Sequence, residues 1–187
     1  WMAVGRLIEK KGFDNLIAAV ARLRDRGHEQ RLLIFGEGPL RGALEEQISR
    51  LRIEDLVELR GAVPNAEVWK ALKISRGLVA PSIMDGKGDI DGTPNVILEA
   101  MAMGRPVIGS EISGSPEAVI HDETGLLVPP GDVGALADAM DRLSKSPDLA
   151  ERLGRRGRGR IEEEFDVKRN TTRQLRHLLK ALRADGR

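Results

Sequence analysis

Residues 2–35 run MAVGRLIEKKGFDNLIAAVARLRDRGHEQRLLIF. A short apolar run from Met2 to Val4 ends at Gly5, and Phe13, Leu16, Ile17, Val20 and Leu23 then recur at helical spacing. A second apolar run follows from Leu32 to Phe35. Strands that are apolar at every position are covered on both faces, and a helix between two of them is the crossover of a parallel pair. The rhythm continues outward. Leu40, Leu44, Ile48 and Leu51 mark a helix, with Pro39 suited to its first turn. Val57 to Leu59 reads as a strand, and Asn65 is expected to cap a helix carrying Val68, Trp69 and Leu72. Leu78 to Ala80 is a strand ended by Pro81, Asn95 to Met103 is helical, and Pro106 to Ile108 leads into a further strand. Leu126 to Val128 is the last strand, and Val133 to Leu143 the helix after it. Right-handed crossovers make this an α/β, doubly wound, Rossmann-like parallel sheet.

Composition narrows the function. The chain has 187 residues, enough for one domain with a substantial core. Its 30 lysines and arginines nearly cancel its 29 aspartates and glutamates. No overall field draws in nucleic acid or anionic lipid, so any anion site must be local. The absence of cysteine excludes disulfides, thiol catalysis and cysteine-held zinc, and fits a reducing, cytoplasmic setting. No apolar run approaches the roughly 20 residues of a membrane span, and no signal peptide is visible. Because Trp1–Val4 already reads as a core strand, the chain is expected to be cut from a longer protein. The arginines of RRGRGR, 155–160, lie beside Glu162–Glu164 with no interleaved aromatics, so they are expected on a solvated helix face. Leu175, Leu178, Leu179 and Leu182 form an apolar stripe. The expected division is a Rossmann-like ligand-binding domain, 1–165, and a C-terminal helix, 166–187, packing on a missing N-terminal domain.

In such a sheet ligands bind outside the carboxyl ends of the strands. The first loop there is GRLIEKKG, 5–12, where Arg6 and Lys11 bracket a turn ending at a helix start, an arrangement suited to clamping phosphate. The second is GEGP, 36–39, whose Gly36 and Gly38 either let the backbone approach a ligand or turn tightly. Arg41 stands where a dinucleotide fingerprint needs a third glycine or alanine, which counts against a dehydrogenase. The third spans 81–110. Asp85, Asp89 and Asp91 alternate with glycines, yet Ile90 occupies the turn-glycine position of a calcium loop and Lys87 sits among the would-be ligands. Gly92, Thr93 and Pro94 lead instead into a helix at Asn95 and Val96, whose first amides and dipole make an anion site. Glu99, one turn on, either complements the dipole or accepts hydrogen bonds from a sugar's hydroxyls. His28, His121 and His177 read as solvated surface residues.

The series VGRLIEKKGFDNLI, LLIFGEGP, VELRGAVPNAEV, DGTPNVILEAMAMGRPVIGS, GSPEAV and ETGLLVPPGD resembles, in order and spacing, glycosyltransferase family 4, the large retaining GT-B family. The likeness runs from about Ala3 to Phe165 and is greatest to bacterial members that build exopolysaccharides and lipid-linked glycans. It implies the C-terminal, donor-binding half of a GT-B fold and transfer of a sugar from a nucleoside diphosphate sugar, UDP or GDP. Arg6 and Lys11 then match the cations that hold the diphosphate and assist its departure. Val63 matches the position whose backbone contacts the nucleobase, and Gly92–Val96 the loop that presents amides to diphosphate and sugar. Glu99 matches the acid on the ribose hydroxyls. Asp91 stands where the family has a sugar-contacting glutamate, with seven residues between it and Glu99. Gly114, Pro116 and Glu117 match a GGxPE-like loop, with Ser113 and Ser115 as departures.

The resemblance also implies no metal or other cofactor, a nucleotide sugar as partner, and no nucleic acid partner. It assigns the acceptor site and a catalytic histidine to an N-terminal domain outside this chain. Contact with the inner face of the membrane would pass through that missing half. Alternatives are a stand-alone nucleotide-binding module without catalysis, or an epimerase or phosphorylase of the GT-B architecture. A phosphorylase needs a lysine for pyridoxal phosphate in a matching motif, and none is seen.

Overall fold

The structure, a computed structural model, describes residues 1–90, 92 and 95–165. Six parallel strands form one sheet: β1 (Met2–Val4), β2 (Leu32–Phe35), β3 (Val57–Gly61), β4 (Leu78–Ala80), β5 (Val107–Ser110) and β6 (Leu126–Val128). Their order is β3-β2-β1-β4-β5-β6. The chain winds outward from β1 to one edge, crosses back beside β1 at β4, and winds to the other edge, as the doubly wound reading requires. Successive side chains of a strand serve opposite faces. Met2 and Phe35 enter one buried cluster, while Ala3, Leu32 and Ile34 enter the other. This is why these strands are apolar at consecutive positions.

Helices cover both faces. On one side lie α1 (Phe13–Asp25), α2 (Arg41–Leu51) and α6 (Val133–Lys145), through Leu16, Val20, Leu44, Ile48, Leu136 and Met140. On the other lie α3 (Asn65–Ile74), α4 (Asn95–Ala102) and the short α5 (Ser115–Ala118), through Val68, Leu72, Ile97, Met101 and Ala118. The final described helix, α7 (Pro147–Glu164), bridges the layers, with Leu153 in the first cluster and Ile161 against the second.

Several boundaries depart from expectation for local reasons. Pro39 precedes α2 rather than opening it: Leu40 is the capping residue and Arg41 the first helical one. Asn65 does not cap α3. Pro64, extended at ψ 145°, is the flanking residue, so Asn65 is already inside the helix and its side chain cannot take the cap position. Trp69 leaves the buried face of Val68 and Leu72 and stands 46% exposed. The arginine-rich run is a solvated helix face at Arg155, Arg156 and Arg158, with Arg155 and Arg158 paired to Glu151 and Glu162, but Arg160 departs from that expectation and turns onto the Glu117 and Ala118 carbonyls of α5. Its glycines do the packing: a Cβ on Gly154 would overlap the carbonyl oxygen of Gly104, and Gly157 lies against Met101 beneath it. The expected terminal helix, 166–187, falls outside the described residues, and with it His177 and the leucine stripe.

Candidate functional site

The strand order reverses between β1 and β4, so a crevice opens between the loops that follow them. The wall after β1 is built from backbone. The Gly5 amide donates to the Phe35 carbonyl (2.9 Å), the Leu7 amide to the Glu37 carbonyl (2.9 Å), and the Leu40 amide to the Leu7 carbonyl (3.1 Å). These bonds bury Leu7 and leave Arg6 exposed. Gly36, at φ 144°, and Gly38 make this approach possible, since a Cβ on either would overlap the backbone of Gly5 or Leu7. What the two glycines approach is therefore the first loop itself, which they hold in place. A 3₁₀ turn, Glu9–Lys11, ends at Gly12, whose φ of 62° sets it against the Pro81 carbonyl at the end of β4. Half-buried Lys11 lays its stem across Gly5: an added Cβ there would stand 3.2 Å from its Cε.

The opposite wall adds side-chain ties to its main-chain bonds, in which the Ile83 amide donates to the Lys10 carbonyl and the Asp85 amide to the Asp89 carbonyl (3.0 Å each). Asp85 Oδ1 accepts from the amides of Lys87 (2.9 Å) and Asp89 (2.8 Å), closing a tight turn. Lys10 Nζ donates to Asp89 Oδ2 (2.8 Å), and Glu9 Oε1 accepts from the Gly86 amide (2.9 Å), so the turn is tied to the first loop. The hydrogen bond and charge of Lys10 hold the Asp89 carboxyl below the usual carboxylate range. Two acids of the alternating series are thus committed to loop architecture. No cluster of metal-binding side chains occurs among the described residues. Gly92 is exposed; Asp91, Thr93 and Pro94 lie outside the described residues.

Beyond the turn, α4 begins at exposed Asn95, and Val96 packs partly against the second cluster. Glu99 sits one turn into α4, half-buried. Its Oε2 accepts a hydrogen bond from the indole nitrogen of Trp69 at 3.0 Å. Trp69 stands one turn into α3, which follows Val63 in the loop after β3. Val63 is partly buried against the same cluster. Arg6 and Lys11 thus share the loop after β1, while Val63 and Glu99 are linked through α3 and α4. Reading Trp69 as part of an apolar face concealed its role. Helical spacing alone gave little signal: Trp69 is turned about 100° from Val68 but only about 60° from Leu72, which leaves it at the edge of the apolar stripe.

The remaining candidates are structural in what they touch. Ser113, at φ 61°, precedes Gly114 and α5, whose Glu117 and Ala118 carbonyls accept from Arg160 of α7 (2.8 and 3.0 Å). His121 Nδ1 accepts from the Leu127 amide (3.0 Å), and His28 Nδ1 lies 3.0 Å from Asp141. Of the described histidines, His121 steadies a turn and His28 lies against α6.

Residues 2–160 match the family described as Glycosyl transferases group 1. The amylovoran biosynthesis glycosyltransferase AmsK of Erwinia amylovora is 36% identical over 181 residues, 97% of this chain and 44% of that protein. Sucrose-phosphate synthase of Thermosynechococcus elongatus superimposes with a TM-score of 0.80 at 31% identity, over 99% of this chain and 46% of that one. Anabaena HepE, solved in complex with UDP, superimposes with a TM-score of 0.82 at 23% identity, over 96% and 48%. The chain spans about half the length of the curated relatives it matches. With the motif series, the switch-point crevice and these likenesses in agreement, the chain belongs to the group 1 glycosyl transferases and carries a Rossmann-like domain of the GT-B fold.

Proposed function

We propose that this chain is the donor-binding half of a retaining glycosyltransferase of family 4, which transfers a sugar from a nucleoside diphosphate sugar to a glycan, lipid or small-molecule acceptor. The observation that carries this is the switch point between β1 and β4, with Arg6 and Lys11 in the loop after β1 and α4 following the loop after β4. When the sugar carbon becomes oxocarbenium-like, the departing diphosphate gains negative charge. Fixed cations and the free amides of a helix start stabilise that charge without a bound metal. In this reading Arg6 and Lys11 grip the diphosphate, and the backbone from Gly92 through Asn95 to Val96 completes its cradle. Glu99 takes the ribose hydroxyls, and the Val63 backbone meets the nucleobase. Asp91, Thr93 and Pro94 are assigned to the sugar side by their motif alone. The UDP bound to HepE supports a uridine or similar nucleotide.

The acceptor site and the catalytic histidine belong to a separate N-terminal domain, and the full protein works in the cytoplasm or at the inner membrane face. No helix among the described residues is long and apolar enough to cross a membrane. A thermal-shift panel of UDP, GDP and ADP sugars tests donor binding: at least one should raise the melting temperature, with or without EDTA. The same chain, offered acceptors, should transfer no sugar at an enzyme's usual rate. A flat panel would overturn the donor assignment, and rapid turnover would overturn the division of labour.

A further inference from the structure

We infer that Trp69 is a positioning residue for the ribose, holding the Glu99 carboxylate in one orientation before the nucleotide arrives. The inference rests on the assignment of Glu99 to the ribose hydroxyls. Three observations lead to it. Trp69 is a large aromatic residue left 46% exposed on a helix whose buried face is completed by Val68 and Leu72. Core packing therefore does not explain it. Its indole nitrogen has one proton to donate, and that proton goes to Glu99 Oε2 at 3.0 Å. Glu99 Oε1 carries no hydrogen bond among the described residues, so one oxygen is anchored and the other is presented.

The physical consequence is preorganisation. A glutamate has three rotatable bonds, and fixing it upon ligand binding costs affinity that a pre-anchored side chain has already met. The indole is well suited to this task. It is rigid, it cannot accept a hydrogen bond at nitrogen and so never competes for the hydroxyl protons, and a donor to a carboxylate makes one of the stronger neutral–ion hydrogen bonds. Trp69 rises from α3 and Glu99 from α4, so the bond also fixes the spacing of the helices that follow the nucleobase loop and the phosphate loop.

The test uses the 187-residue chain and calorimetric dissociation constants for UDP and its 2′,3′-dideoxy analogue, which lacks both hydroxyls, or for the base the panel selects. Trp69→Phe keeps the ring and loses the donor. It should weaken the ribonucleotide roughly three- to tenfold, the range expected for freeing one immobilised side chain, and leave the deoxynucleotide nearly unchanged. Trp69→Gln, which restores an N–H at similar reach, should recover part of the loss. Glu99→Gln, the reference, should also narrow the gap between the two ligands. If Glu99→Gln narrows the gap but Trp69→Phe does not, the ribose assignment stands and the positioning role falls. If Glu99→Gln leaves the gap intact, the assignment itself is wrong and the positioning role falls with it. Equal weakening of both ligands by Trp69→Phe would mark the indole as a stacking surface or a helix tie, again overturning the inference. A second readout is fluorescence, since the other tryptophan, Trp1, is buried. Iodide should quench Trp69 emission in the free chain, and the nucleotide should protect it.

Discussion

The two walls of the crevice are made differently. The wall after β1 is locked by main-chain hydrogen bonds between residues 5–7 and 35–40 and by glycines whose missing Cβ atoms admit the neighbouring backbone. The wall after β4 has fewer main-chain bonds to its neighbour, Ile83 to Lys10 among them, and adds side-chain ties: Asp85 across its own turn, Lys10 to Asp89, and Trp69 to Glu99. A backbone lattice gives a fixed geometry to the loop that carries Arg6 and Lys11, and among side-chain changes those at its glycines strike it directly. Side-chain ties are adjustable one residue at a time.

The sharpest break of this contrast is Gly36→Ala. At φ 144° and against the Gly5 carbonyl, the substitution adds both backbone strain and overlap. It should cost about 3–5 kcal/mol in urea unfolding, summing a strained conformation and a packing clash. Gly27→Ala shares a positive φ of 77° but meets nothing, and should cost only about 1–2 kcal/mol. Equal losses at the two sites would mean the close approach is not what holds the first wall. Next in size is Lys11→Ala, which removes a cation and leaves the backbone lattice in place. Nucleoside diphosphate binding should fall roughly 10- to 100-fold, the worth of one charge-assisted bond, with nucleoside binding unchanged. Arg6→Ala should follow the same pattern. A third and smaller effect belongs to the other wall. Asp85→Ala frees two amides, at a local cost of about 0.5–2 kcal/mol. Hydrogen exchange at Lys87 and Asp89 should speed up while exchange in the sheet stays as it was.

The two walls also differed in how far the sequence disclosed them. Apolar runs at Met2–Val4 and Leu32–Phe35 announce the parallel sheet because burial on both faces leaves no polar position. The glycines of GEGP announce a close backbone approach, but not its target. That target is residues 5–7, about thirty positions earlier, and only the crossover brings it near. Trp69 shares the apolar stripe of Val68 and Leu72 by spacing, standing three before Leu72, and its exposure at the stripe's edge depends on what packs beside α3. In RRGRGR the arginines drew the reading toward charge, while the tertiary information lay in Gly154 and Gly157, three apart on one helix face. Asn65 failed as a cap because Pro64 already supplied the extended residue before α3. Local propensity places elements, and long-range ties such as Lys10 to Asp89 have no local sign.

The smallest expected effect is the most specific to the side-chain wall. Asp89 is 61% exposed, and Lys10 Nζ lies 2.8 Å from its carboxylate. Exposed pairs contribute little because water already solvates both charges and salt screens them. The sign of the pH dependence is nonetheless fixed. Lys10 lowers the Asp89 pKa in the folded chain, so the folded state binds this proton less readily than the unfolded one. The stabilisation is therefore fully present above the unfolded carboxylate value of about 4, and it fades as pH falls through the lower folded value. Asp89→Asn should accordingly melt slightly below the parent at pH 7, by an amount constant down to about pH 5, and the gap should close in more acidic buffer. Roughly 1 M salt should close it too, since the Debye length is then about 3 Å. Gly36→Ala should show neither dependence, because strain and overlap involve no charge. A gap for Asp89→Asn that persisted in acid and in salt would show that this wall, like its neighbour, is held by packing rather than by charge.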